Sequence, residues 1–168
     1  MIDQTQLEKM SDMLMRADGY TVFVAGAGRS GCAASAFANR LLHLGFRVCR
    51  IGEITTVPVA RDDVLVVLSG SGRTSSLVTI VSKAERLGAR IAVITMQPEG
   101  EIGEMADEMI VLPGTTRLQD KERFRSFQPV GSCFEQLAWL TCDALVFMMR
   151  EKAGISDEEM LARHANLE

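Results

Sequence analysis

Val64-Leu65-Val66-Val67-Leu68-Ser69-Gly70-Ser71-Gly72-Arg73-Thr74 is the stretch that decides the fold. Its first five residues are apolar without interruption and rich in valine. A strand with one wet face would alternate, so this one is covered on both faces, the pattern of a parallel sheet packed between helices. The glycines and hydroxyls that follow turn the chain into a helix predicted from Ser75 to Leu87.

The same punctuation recurs on either side. Val22-Phe23-Val24-Ala25 runs into glycines, and Ala33 to Leu44 reads as a helix. Val48 to Ile51 is a second short run, bounded by Gly52. Ile91 to Ile94 and Met109 to Leu112 are a fourth and fifth, the last stopped by Pro113-Gly114. A lead helix over residues 3–16 places Leu7, Met10, Met13 and Leu14 at helical spacing, core positions rather than a cofactor box. Strands alternating with helices predict an α/β fold, a three-layer αβα sandwich with a five-stranded parallel sheet.

Residues 113–130 read as a polar loop carrying Arg117, Lys121, Arg123 and Arg125, longer than most connections and so a candidate functional segment. A helix from about Gly131 to Lys152 follows, apolar almost all round, which predicts burial against several neighbours, as at a subunit interface. Ser156-Asp157-Glu158-Glu159 has the capping-box spacing and opens a last helix, ahead of the tail Arg163-His164-Ala165-Asn166-Leu167-Glu168.

Composition sets the outer limits. A length of 168 residues fits one domain over 1–168, with 1–20 as a helical lead-in and 153–168 as a C-terminal helix and tail. Hydrophobic residues at 47% and charged residues at 24% are globular values, so disorder is excluded as the main state. A net charge of −4 argues against a nucleic-acid partner, which would want a basic stripe. It leaves an anionic ligand open, because backbone N–H groups at helix starts hold phosphate. Cys32, Cys49, Cys133 and Cys142 form no C-x-x-C pair and read as buried small hydrophobes of a reducing compartment. The start Met1-Ile2-Asp3-Gln4 lacks a signal-peptide pattern, and Glu135, Gln136 and Asp143 interrupt the most apolar stretch, so a cytoplasmic protein with no membrane partner is expected.

In a parallel sheet, ligands bind beyond the carboxyl ends of the strands. Two loops stand there. Gly26-Ala27-Gly28-Arg29-Ser30-Gly31 is formally G-x-G-x-x-G, with Glu53 about twenty residues further on, a dinucleotide fingerprint in form. Ser69-Gly70-Ser71-Gly72-Arg73-Thr74 offers hydroxyls and pliant backbone at a helix start and lacks the Walker A lysine. A dinucleotide enzyme also needs a substrate domain, for which one sheet leaves no room. Hydrogen bonds to a charged phosphate contribute roughly 1.5–3 kcal/mol each, so three or four anchor a small phosphorylated ligand. The small-ligand reading is the better one.

The second loop also resembles the phosphate loop of the SIS (sugar isomerase) domain. Together with the first loop, Gly52-Glu53-x-Thr55-Thr56, Gln128-Pro129-x-Gly131-Ser132-x-Phe134-Glu135 and the C-terminal tail, it resembles the 6-phospho-3-hexuloisomerase family over nearly the whole chain from Val22. The lead-in ahead of Val22 is shorter than that family's. The resemblance implies a cofactor-independent isomerase that interconverts D-arabino-hex-3-ulose 6-phosphate and fructose 6-phosphate through an enediol. It makes Glu135 the proton-transfer base and has the tail, with His164, complete an active site, that of a neighbouring subunit in a dimer or tetramer. Gly28, Arg29, Ser30, Ser69, Ser71 and Thr74 become the candidate substrate-binding residues, with Glu53 able to hold sugar hydroxyls. No metal is expected. His43, in Leu41-Leu42-His43-Leu44-Gly45, reads as a structural histidine at a helix end. The alternatives are an isomerase of another phosphosugar, such as an arabinose or heptose phosphate, and a non-catalytic phosphosugar sensor. No predicted DNA-binding helix pair precedes Val22, which favours the enzyme.

Overall fold

The computed structural model describes residues 2–17, 19–116, 128–129 and 132–167. The apolar runs form β1 (Thr21–Gly26), β2 (Arg47–Arg50), β3 (Val64–Leu68), β4 (Arg90–Thr95) and β5 (Glu108–Val111). They alternate with α1 (Gln4–Met15), α2 (Arg29–His43), α3 (Ser75–Arg86), α4 (Glu101–Glu104), α5 (Ser132–Ala153) and α6 (Asp157–Ala162). All pairings are parallel and the strand order is β2-β1-β3-β4-β5. The expected five-stranded sheet between helical layers is what the chain builds.

Side chains along the inner strands divide by parity, because successive Cβ atoms leave opposite faces. Val22, Val24, Val66, Leu68 and Ile94 face one way, into a core shared with Phe37, Leu41 and Leu145. Phe23, Leu65, Val67, Ile91 and Val93 face the other, against Leu77, Val81 and Ile102. Both faces being dry explains why β3 reads as an unbroken apolar run: every residue in it is buried.

The order 2-1-3-4-5 reverses direction between β1 and β3, and such a switch point opens a crevice beyond the strand ends. Register aligns the two strands there, with Val22 opposite Val64 and Gly26 opposite Leu68. At the other end the buried Asp63 carboxylate accepts from the Thr21 N–H at 2.8 Å and the Ala60 N–H at 2.7 Å, tying the starts of both strands together. The loops after β1 and β3 therefore emerge side by side.

Three expectations change. The second helix starts at Arg29, not Ala33, because Gly28 adopts φ 56° and delivers Arg29-Ser30-Gly31 directly into the first turn. α4 is a single turn, too short to leave a periodic signal. Of the four cysteines only Cys142 is fully buried, while Cys49 and Cys133 are half-buried and Cys32 is exposed. Arg117, Lys121, Arg123 and Arg125 of the predicted basic loop lie outside the described residues. No described helix is long and apolar enough to cross a membrane.

Candidate functional site

Ser69, Ser71, Thr74 and Ser30 line one cavity of about 170 Å³ at the switch point, closed on its far side by Thr116, Phe134 and Glu135. Ser69 is 2% exposed, and its Oγ is buried with no hydrogen-bond partner among the described residues. A buried hydroxyl left unpaired costs about 1–3 kcal/mol, so its place in a cavity wall makes it a candidate ligand contact. Thr74 is the N-cap of α3, yet its side chain makes no capping bond. The first N–H groups of α3 and the Thr74 hydroxyl thus remain for a ligand. Gly28, the N-cap of α2, likewise has no side chain with which to cap that helix. Two helix starts with uncapped donors flank the cavity, an arrangement that suits a phosphate dianion.

Backbone contacts fix the shape of the second loop. A Cβ on Gly70 would stand 2.8 Å from Thr116 Cγ2 and 2.9 Å from Phe134 Cγ, so only glycine fits. The Gly70 carbonyl accepts from the Met96 N–H at 3.2 Å, and the Gly72 carbonyl accepts from the Ile102 N–H at 3.0 Å. Gly72 has φ 61°, and a Cβ on Gly100 would lie 2.8 Å from the Gly72 oxygen. The β3–α3 loop is thereby clamped by the β4–α4 loop.

Glu135 sits in the first turn of α5, where the helix dipole favours a carboxylate. Its side chain is 15% exposed and accepts from Arg29 Nε at 2.5 Å. It lines the small cavity and also a second, wider cleft of about 450 Å³ bordered by Arg29, Cys32, Gln136, Trp139 and Leu140. Sequence reading missed this cleft. Its one legible signal was Trp139, four residues after Glu135 and hence on the same side of α5.

Two candidates lie elsewhere in the protomer. Glu53 stands in the loop after β2, half-exposed, 3.8 Å from Arg50 Nη1, and does not line the cavity. His164 stacks on His43 with ring centroids 5.1 Å apart. His43 ends α2 and Arg29 begins it, so the rise of about 1.5 Å per residue separates the two by roughly 21 Å. His164 and Glu135 therefore do not meet within one protomer. The tail is held where it is by Arg163, whose Nη1 donates to the His43 carbonyl at 3.0 Å. His43 is buried, as a structural histidine should be. Burial, then the neighbouring His164 and Arg40, pushes its pKa down. Burial likewise raises the Cys142 thiol well above its usual range, leaving it inert.

The model of the SIS domain matches residues 13–118. A protein of Bacillus subtilis (strain 168) named 3-hexulose-6-phosphate isomerase is 40% identical over 167 residues, 99% of this chain and 89% of that protein. A crystal structure of a hypothetical protein superposes with a TM-score of 0.89 at 36% identity, covering 99% of this chain and 88% of the other. A second, from Methanococcus jannaschii, is described as inferring a molecular function of 3-hexulose-6-phosphate isomerase. It superposes with a TM-score of 0.85 at 32% identity over 98% of this chain and 87% of its own.

Proposed function

The chain belongs to the SIS domain family, and from that premise we propose that it is an isomerase interconverting D-arabino-hex-3-ulose 6-phosphate and fructose 6-phosphate. The observation that carries the reading is the meeting of Glu135 with the unpartnered Ser69 hydroxyl in the wall of one cavity. An anchored phosphate then places the sugar carbons against a carboxylate.

Moving the carbonyl from C3 to C2 requires a base at carbon. Glu135 takes the C2 proton, the C–H electron pair becomes the C2=C3 bond, and the carbonyl pair moves onto O3. The O2–H proton passes to O3, and as Glu135 returns its proton to C3 the O2 electron pair forms C2=O. Such positioned proton transfer contributes typically 10²–10⁴ in rate. Ser30, Ser69, Ser71 and Thr74 hold the phosphate, with Gly28 bringing the α2 N–H groups close. No cofactor takes part in these steps. The whole chain acts as one phosphosugar-binding unit, a reading supported by α1 and α5 packing into the same core on one face of the sheet, and it works in the cytoplasm, where its phosphorylated substrates are.

His164 serves proton exchange at oxygen in the site of a neighbouring copy, within a dimer or tetramer. The support is twofold: its separation from Glu135 in its own protomer, and the exposure of Trp139, Leu140 and Phe147 along one face of α5. Protein incubated with fructose 6-phosphate in deuterated water should incorporate deuterium at C3. Exchange confined to C1 would move the reaction to an aldose–ketose isomerase of another phosphosugar, and no exchange at all would leave a sensor.

A further inference from the structure

Arg29 stands where local rules disfavour it. It is the first residue of α2, and the first turn of that helix holds no acidic residue to offset the clash between a cation and the positive end of the dipole. Its side chain is 74% exposed. An ion pair as open as the one it makes with Glu135 contributes little to stability. A residue placed against propensity, with no structural gain, points to function.

Its geometry says which function. Only Nε is engaged, on Glu135, and the two Nη groups have no partner among the described residues. The guanidinium borders the wide cleft, and Glu135 borders both that cleft and the phosphate cavity. A sugar phosphate anchored at Ser69 and Thr74 that crosses Glu135 must run on toward Arg29. The outer edge of a guanidinium presents two parallel N–H groups, a fork that matches two neighbouring oxygens on one ligand.

We propose that Arg29 is a catalytic residue with two simultaneous contacts: Nε orients the Glu135 carboxylate, and the Nη edge holds the vicinal oxygens O2 and O3 of the enediolate. When Glu135 removes the C2 proton, negative charge arrives on O3. As the proton returns to C3, charge passes through O2 before C2=O forms. A fork spanning both oxygens follows that movement without rearranging. The contact strengthens only as charge develops, so it lowers the barrier and leaves ground-state binding to the phosphate loop. This inference rests on the isomerase reading above.

The test uses the full chain with fructose 6-phosphate. Arg29→Lys keeps the charge but loses the fork, and Arg29→Ala leaves an open space that guanidinium ion can enter. Both should lower kcat by at least about a hundredfold, the scale of one lost oxyanion donor. The dissociation constant should stay within about threefold, and added guanidinium should restore the Ala variant at least about tenfold. The same ion should leave Glu135→Gln unrescued. The assignment is overturned if Arg29→Ala keeps near wild-type turnover, if it loses affinity in step with kcat, or if guanidinium restores nothing. A wild-type protein that neither exchanges deuterium nor isomerises would instead overturn the isomerase reading, a separate result visible before any variant is made.

Discussion

At the N-terminal end of α2 polar groups are left over among the described residues: Ser69 Oγ is buried and unpaired, Thr74 caps nothing with its side chain, and Arg29 engages one donor nitrogen of three. At the C-terminal end most described side chains are matched, with Arg150 Nε the buried exception. Arg163 donates to the His43 carbonyl, Arg150 pairs with Asp157, and Ser156 and Glu159 close a reciprocal capping box. The two ends share a helix and a core, so fold stability alone does not explain the difference. Completed local bonds build structure. Unsatisfied donors gathered in a walled cavity are what the proposed phosphate site requires.

The sharpest way to break that contrast is at Glu135. Glu135→Gln keeps shape and hydrogen-bonding capacity but removes the proposed base, so turnover should fall by at least about two orders of magnitude while fructose 6-phosphate still binds. Calorimetry beside a turnover assay separates the two. Near wild-type turnover would hand the role to another residue.

Ser69→Ala comes next and tests whether the unpaired hydroxyl belongs to a ligand. One hydrogen bond to a charged group is lost, so affinity for fructose 6-phosphate should drop about ten- to hundredfold. The unliganded protein should melt no lower than wild type, because the change removes a buried orphan rather than a bond. A loss of Tm with affinity intact would assign the hydroxyl to the fold.

A smaller effect, about tenfold on kcat, is expected for His164→Asn, since its proposed role is at oxygen and not at carbon. Mixing that variant with Glu135→Gln sharpens the comparison. If each site draws on two copies, hybrid assemblies contain some sites with both groups intact, and the mixture turns over faster than the His164→Asn variant it contains does alone. A mixture no faster than that variant alone would leave His164 as a stacking partner of His43 and nothing more.

The least effect is a pH dependence of stability at the matched end. His43 titrates lower in the folded chain than its ordinary value near 6.5. On acidification the unfolded chain therefore takes up that proton first, so stability is full above about pH 6.5 and declines as pH falls through and below it. His43→Gln should flatten that decline in Tm, and His164→Ala should reduce it. An unchanged slope in both would remove the pair from the acid response.

These two ends were also unequally legible in the sequence. Unbroken runs such as Val64 to Leu68 announced a sheet buried on both faces, and Ser156 with Glu159 announced a cap the structure contains. The Ser69–Thr74 loop was legible because glycine, hydroxyl and helix start act locally. The Arg29–Glu135 pair was not, since it joins residues 106 apart in sequence. Glycines also hid the first turn of α2, so Arg29 read as a loop residue. The stacking of His164 on His43 is equally non-local, and the exposure of Cys32 follows from its turn of helix facing the cleft rather than the core.

The clamp between Gly70, Gly72 and the β4–α4 loop bears on timing. A loop already fixed by Met96, Ile102 and Gly100 has little freedom left to lose when phosphate arrives, so recognition there needs no folding step. On the proposed assignment of this loop to phosphate, every phosphorylated sugar would meet the same finished socket at its phosphate end. Rearrangement of the Ser69–Thr74 loop itself then adds little to the time of encounter. Discrimination among phosphosugars would then fall to the wide cleft beyond Glu135, where the rest of the molecule must find its place before it leaves again.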